Sequence, residues 1–327
     1  MTQRLHSAPS PSTNVHFYSS SGGNAGLACV HAARHLSRPA TVVVPMTTKP
    51  LMMAKIRAAG AHEVIQHGTS WKEADTCLRD VVLVEATKRG EEGIYVPPFD
   101  HEDIWTGNSG MVDEIQRQLD TIIAAGDEQG QRSARPDVLV CSVGGGGLFN
   151  GIMQGAERVG WTDTTVLALE TRGADSLNKS LVEGEHVTLS GITSKATSLG
   201  ATRVSDRTYE LASTKTQVKS VVLTDAEAAM GSWRLAEDER MMVELACGVN
   251  VALCYGGRLG KALGRPVRKD DKVVIVLCGG SNVTIDMLSD WKQEFGRLGD
   301  ETSDKEAETV PSAADPTEKT LTNGTKH

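Results

Sequence analysis

The chain has 327 residues, of which 39% are hydrophobic and 23% charged, and its formal net charge is −8. Such a length accommodates two domains of ordinary size and a substantial core. An acidic balance without a basic stripe excludes a dedicated nucleic-acid binder, and no apolar run reaches the roughly 18–20 residues that a membrane span requires.

The opening residues 1–14, MTQRLHSAPSPSTN, read as an irregular N-terminus without the apolar stretch of a secretory signal. VHFY (15–18) then reads as a short strand, SSSGGN (19–24) as a turn and AGLACVHAARHL as a helix. Ser19, Ser20 and Ser21 offer hydroxyls, Gly22 and Gly23 offer bare peptide N–H groups, and Asn24 adds an amide at the first helical turn. A helix amino end so furnished suits a carboxylate. The competing reading is an ordinary serine N-cap. Next come a buried strand at 40–45, a helix ending near Gly60, a strand in HEVIQHG and a helix through 71–89. IYVPPFD (94–100) reads as a strand stopped by prolines, and WTGNSGMVDEIQRQLDTIIAA as an amphipathic helix. No acidic residue precedes Glu63, whereas Arg4, Arg34, Arg38, Lys49, Lys55 and Arg57 do. These are either a few solvated cations or a field that favours an anion near residues 20–60.

After a polar linker at 126–137, VLVCSV runs into Gly144, Gly145, Gly146 and Gly147, with a helix from Leu148. Peptide N–H groups without side chains approach a phosphate closely, and the helix dipole assists. The run is neither a GxGxxG fingerprint nor a P-loop, and a merely crowded strand-to-helix crossing would need fewer glycines. TVLALE is a further strand, and in ETRGADS (170–176) Glu170, the Ala174 carbonyl and the Ser176 hydroxyl could converge on a hard cation. In KVVIVLCGGSN, Cys278 ends a strand before Gly279 and Gly280, either as a small core residue or facing a ligand. The six cysteines (Cys29, Cys77, Cys141, Cys247, Cys254 and Cys278) lack a CxxC pair, which favours buried thiols over a disulfide framework or a zinc site. Continuous apolar strands imply parallel sheets covered on both faces. The expected class is α/β with two open parallel-sheet lobes, the smaller over 15–110 and the larger over 111–298. Residues 299–327 read as a disordered tail.

Taken in order, SSSGGNAG, RPATVVVP, IYVPPFDHEDIW, SVGGGGL, VLALETRGADS, ITSKATSLGA, LACG and LCGGSN make residues 15–298 resemble the fold-type II (tryptophan synthase β-like) enzymes that use pyridoxal 5′-phosphate (PLP). The L-serine dehydratases, or L-serine ammonia-lyases, are the most similar of these. The resemblance implies that Gly144 to Gly147 bind the PLP phosphate, that Asn24 bonds the ring hydroxyl and that Cys278 faces the ring nitrogen. It also implies that Ser21, Gly22, Gly23 and Asn24 grip the substrate carboxylate, and that Glu170, Ala174 and Ser176 hold a monovalent cation such as K+. The implied reaction is β-elimination of L-serine to pyruvate and ammonia, with L-threonine giving 2-oxobutanoate. A cytoplasmic homodimer is implied, acting on a small amino acid, with no nucleic-acid or membrane partner. β-Replacement, as in cysteine synthases, is the neighbouring reaction, and SSSGGNAG and Cys278 speak against it.

The family's Schiff-base lysine lies in a PSGSFKxRG-like segment which, counted back from Asn24, falls before Met1. No residue takes that catalytic role by position. Lys49 and Lys55 lie beyond the substrate loop, and Lys195 in TSKATSLG stands nearest a site-like context. Two expectations follow from the resemblance. Either this is a serine dehydratase sequence without that segment, or it is a catalytically inactive PLP-fold protein that binds or regulates a partner.

Overall fold

A computed structural model describes Met1 and residues 14–126, 135–296 and 308–310. The first sheet has the order β3-β2-β1-β4, all parallel, from β1 (Val15–Ser19), β2 (Ala40–Val44), β3 (Glu63–Gln66) and β4 (Glu92–Tyr95). Its crossovers are α1 (Asn24–His35), α2 (Pro50–Ala58) and α3 (Trp71–Cys77). α3 continues through a π-helical turn, Leu78–Val82, into α4 (Leu83–Lys88). Side chains alternate across the sheet with period two. Phe17, Val42 and Val44 pack under α1 and α2 with Val30 and Ile56, while Tyr18 and Val43 meet Ala74, Leu78 and Ala86 on the other face. Each such side chain, fully buried, contributes about 1.5–3 kcal/mol.

The second sheet has the order β8-β5-β6-β7-β9. Its parallel strands are β5 (Val138–Ser142), β6 (Thr165–Thr171), β7 (Val218–Leu223) and β8 (Val273–Ile275). Around it lie α5 (Glu102–Gly126), α6 (Gly147–Arg158), α7 (Ser176–Glu183), α8 (Asp206–Thr214), α9 (Asp225–Glu239), α10 (Leu245–Val251), α11 (Arg258–Leu263) and α12 (Ile285–Phe295). Val138, Val140, Leu167 and Leu169 pack on one face with Ala228, Val249 and Trp291. Leu139, Cys141, Val166 and Ala168 pack on the other with Val112, Phe149 and Ile152. Two sheets with helices on both faces match the expected class.

Several boundaries move. α5 packs on α6, where a Cβ at Gly151 would overlap Asn108 and one at Gly155 would lie 2.6 Å from Val112. Residues 102–110 therefore join the larger lobe, and the crossing falls near residue 100. β4 ends at Tyr95, because Pro97 and Pro98 have no N–H for a ladder. β7 escaped the reading of the sequence, its apolar residues being interrupted by Lys219 and Ser220. Glu308–Val310, inside the stretch expected to be disordered, form β9, antiparallel to β7. The rest of 299–327, residues 2–13 of the irregular N-terminus and most of the 126–137 linker lie outside the described residues.

Candidate active site

Strand order locates the site. In the first sheet the chain winds outward from β1 through β2 and β3, then returns to add β4 on the other side of β1. In the second it winds from β5 through β6 and β7, then adds β8 on the other side of β5. The carboxyl ends of the two strands flanking such a reversal splay apart and leave a crevice for ligands. Ser20–Asn24 follows β1, Val96–Phe99 follows β4, Gly144–Gly147 follows β5 and Cys278 follows β8. The stretches singled out in the sequence thus fall at both reversals, and the two face each other. A Cβ on Gly145 would overlap the Phe99 ring, and one on Gly147 would come 2.7 Å from the Phe99 carbonyl.

The glycine turn serves packing and donor exposure together. Gly146 has a φ of +97°, which L side chains rarely adopt, and a Cβ there would overlap Thr208. Gly144 lies against the backbone of Ser198 and Leu199. Trp105 Nε1 donates to the Phe99 carbonyl at 3.0 Å and Asn108 Nδ2 to the Gly147 carbonyl at 3.1 Å. Ser205 N–H donates to the Gly145 carbonyl at 3.0 Å, and Asn150 N–H to that of Gly146 at 2.8 Å. No hydrogen bond joins the N–H groups of Gly144–Gly147 to an acceptor among the described residues. The carbonyls of Gly145, Gly146 and Gly147 are spent and the donors are left at the amino end of a twelve-residue helix, α6. This is the electrostatic character of an anion cradle.

Across the crevice, the N-cap of α1 is Gly23, without a side-chain cap, so the serine N-cap reading fails. Ser19 and Ser20 are buried, leaving Ser21 at the mouth, where its Oγ accepts the Gly23 N–H at 3.2 Å. Asn24 ties the lobes together. Its Nδ2 donates to Glu244 Oε1 at 2.7 Å, and its Oδ1 accepts the Ser281 N–H at 2.9 Å. Glu244 Oε2 also accepts the Asn282 N–H at 3.1 Å, and the Glu244 N–H donates to the Gly279 carbonyl at 3.0 Å. Lys55 Nζ donates to the Ser281 carbonyl, and Asn282 Nδ2 to Thr197 Oγ1 at 3.2 Å. Glu244 was missed in the sequence although it directly precedes the LACG stretch; only its contacts reveal it. Lys195 is committed to Glu294, with 2.6 Å to Oε2.

Cys278 is exposed, which removes the core-residue reading. Asn250 Nδ2 donates to the Val276 carbonyl at 2.9 Å, so α10 runs beside the strand end that carries Cys278. The neighbouring Cys247 thiol, buried on α10, lowers the pKa of Cys278, while its own is raised by Cys278 and by burial. Of the proposed cation ligands, Glu170 is fully buried and receives the N–H groups of Leu177 (2.9 Å) and Asn178 (2.7 Å) at the start of α7. Burial nevertheless pushes its carboxyl up to about 8. Ser176 Oγ donates to the Ala201 carbonyl at 3.0 Å, and Ala174 N–H to the Thr171 carbonyl at 2.8 Å. Glu170 lies at the carboxyl end of β6, Ala174 lies in the turn after it and Ser176 opens α7, so the three follow one strand end.

The chemistry of the donor set fits a phosphorylated pyridine: unsatisfied backbone donors for the phosphate, a thiol at a strand end and an amide across the crevice. Asn282 Oδ1 is sealed from solvent and has no partner among the described residues. Such an orphaned acceptor suits a polar ligand in the same crevice. A larger hollow of about 340 Å³ lies on the outer side of α3, beside Lys72, Thr76 and Asp80, apart from these residues.

Residues 5–279 match the family model described as "Pyridoxal-phosphate dependent enzyme". Over 269 residues the chain is 46% identical to an L-serine dehydratase of Saccharomyces cerevisiae (strain AWRI1631), covering 82% of this chain and 77% of that protein. It is 40% identical over 282 residues to a serine dehydratase-like protein of Rattus norvegicus, covering 86% and 79%. The crystal structure of a fungal L-serine ammonia-lyase from Rhizomucor miehei superposes with a TM-score of 0.74 at 32% identity, covering 90% of this chain and 85% of that one.

Proposed function

Since the chain belongs to the pyridoxal-phosphate-dependent enzyme family, we propose that it is built for β-elimination of L-serine to pyruvate and ammonia, and of L-threonine to 2-oxobutanoate and ammonia. The observation that supports this reading is the pairing of two glycine-bearing turns, Gly144–Gly147 and Ser21–Asn24, at the two strand reversals. PLP, when bound, supplies the sink for the electron pair left at the substrate Cα.

The chain's own residues do the rest. The N–H groups of Gly144, Gly145, Gly146 and Gly147 receive the phosphate dianion. Ser21, Gly22, Gly23 and Asn24 hold the substrate carboxylate, which fixes the amino acid's orientation so that the bonds to be broken stand in one place. Asn24 exchanges its present bonds with Glu244 and Ser281 for the ligand. Cys278 would face the ring nitrogen. A thiol cannot hold a full positive charge there as a carboxylate would, which suits elimination over transamination. Its pKa, lowered by Cys247, makes Cys278 the better hydrogen-bond donor of the two thiols, which suits an unprotonated ring nitrogen. Glu170, Ala174 and Ser176 bind a monovalent cation that keeps the Glu170 carboxylate ionised.

The overall change removes the α-proton and the β-hydroxyl from the amino acid, and water then replaces the amine at Cα. The resemblance assigns the first of these proton transfers to a lysine in a PSGSFK-type segment. The test is therefore made on the chain extended before Val15 by a PSGSFK-type segment, with pyruvate measured by its reduction with NADH and lactate dehydrogenase. Turnover of L-serine is expected. A folded, PLP-loaded extended protein inert towards both L-serine and L-threonine overturns the proposal. The resemblance of the sequence extends this reading to a homodimer acting in the cytoplasm. Among the described residues no helix is long and apolar enough to cross a membrane.

A further inference from the structure

The turn that would hold the substrate carboxylate does not stand by itself. Ser20, immediately before it, is completely buried, and its Oγ donates to Asp75 Oδ1 at 2.7 Å. The same oxygen accepts the Tyr95 hydroxyl at 2.5 Å, and Arg79 Nε donates to Oδ2 at 2.8 Å. Asp75 itself is 6% exposed. Three elements thus meet at one carboxylate: the end of β1, the end of β4, and α3 where it enters its π-helical turn. π-Helical turns recur at functional sites because they turn one side chain out of the regular helical phase.

We propose that Asp75 is a positioning residue for the substrate-carboxylate turn, fixing Ser20 so that the donors of Ser21–Asn24 converge on one anion. This rests on the reading that Ser21–Asn24 binds the carboxylate. The argument is one of satisfied valence. Ser20 spends its only proton on Asp75, so it cannot donate to a ligand, and the burden falls on the residues after it. The hydroxyl proton of Tyr95 is spent in the same way, and its pKa is raised by burial and by the bond to Asp75. Arg79 supplies the counter-charge that lets a second carboxylate approach without facing an unbalanced one. From the other side, a Cβ at Gly22 would lie 2.5 Å from Thr48 Oγ1, and one at Gly26 would overlap the Ser21 carbonyl. The turn is therefore packed closely on that side, and the Ser20–Asp75 bond anchors its other end.

The experiment uses two probes that need no turnover: N-(5′-phosphopyridoxyl)-L-serine, which carries the carboxylate, and pyridoxamine 5′-phosphate, which lacks it. Kd is measured for each by calorimetry on the full chain and on its Asp75→Ala, Asp75→Asn and Ser20→Ala variants. The wild type should prefer the serine adduct. Asp75→Ala and Ser20→Ala should lose about tenfold of that preference, with the Kd for pyridoxamine 5′-phosphate unchanged. Asp75→Asn, which still accepts from Ser20, should recover most of it. An unchanged Kd for pyridoxamine 5′-phosphate also reports that a variant is folded, and Ser20→Ala serves if Asp75→Ala is not. If the wild type prefers the adduct and the variants keep that preference, the role of Asp75 is overturned and the carboxylate reading stands. If the wild type binds both probes equally, both fall together.

Discussion

Glu170 ties the proposed cation site to a measurable pH dependence. Its carboxyl is fully buried and is pushed up to about 8, although two N–H groups of α7 point at it. In the unfolded chain a glutamate titrates near 4.3. Between these values the folded protein holds a proton that the unfolded chain has released. Stability is then complete below the unfolded value and is lost as pH rises towards 8. The slope for one such proton is at most about 1.4 kcal/mol per pH unit, and relaxation around the carboxylate brings the expected figure to about 1. A cation bound to the ionised form offsets the loss by mass action, so K+ should flatten the decline while tetramethylammonium should not. The assay is urea unfolding at several pH values between about 5 and 8, in each salt, for the wild type and Glu170→Gln. The glutamine variant forfeits one N–H acceptor at a cost that does not vary with pH, and subtracting its curve removes the histidines, which titrate in the same interval. Equal slopes for wild type and variant would refute the assignment of the proton to Glu170. A wild-type slope indifferent to K+ would refute the cation site.

Gly145→Ala and Gly145→Asp both press on the Phe99 ring, but only the second sets a carboxylate against the phosphate; a PLP titration should show the aspartate binding more than about tenfold weaker than the alanine. Gly146→Ala combines a left-handed φ with overlap on Thr208, whose Oγ1 donates to Asn150 at 2.9 Å, and should cost about 2–4 kcal/mol by urea unfolding. Most of that cost should vanish in a Thr208→Gly background. Arg258→Ala strands Glu227, its buried partner at 2.8 Å, and should destabilise by about 3–5 kcal/mol, whereas Arg258→Met with Glu227→Gln should cost far less. Borohydride treatment of the PLP-saturated 327-residue chain should leave no phosphopyridoxyl mass on Lys49, Lys55 or Lys195; a stoichiometric adduct on any one of them would show that a lysine of this sequence reaches the cofactor aldehyde.

Much of the architecture was legible because buried parallel strands are apolar on both faces. ATVVV and VLVC announce themselves by composition, and the glycines after them mark the carboxyl ends. β7 was not legible, since VKSVVL carries Lys219, which reaches the Leu263 carbonyl at 2.8 Å, and Ser220, whose Oγ meets Asn178 at 3.1 Å. Both polar groups are satisfied only by tertiary partners. The candidate site was legible where backbone donors are left bare, because glycine runs are visible in one dimension. Glu244 and Asp75 were not, because neither residue type nor spacing marks them. Asp75 matters through Ser20, 55 positions away, and Glu244 through Asn24, 220 positions away. The four-glycine run also proved over-determined: Phe99, Thr208 and Leu199 forbid side chains there whatever the turn binds.

Phe99 belongs by connectivity to the sheet of β1–β4, yet its ring rests on a turn of the other sheet. The crossing between the two sheets is thus pinned, by this ring and by the Trp105 bond to the Phe99 carbonyl, at the very turn whose bare donors face the crevice.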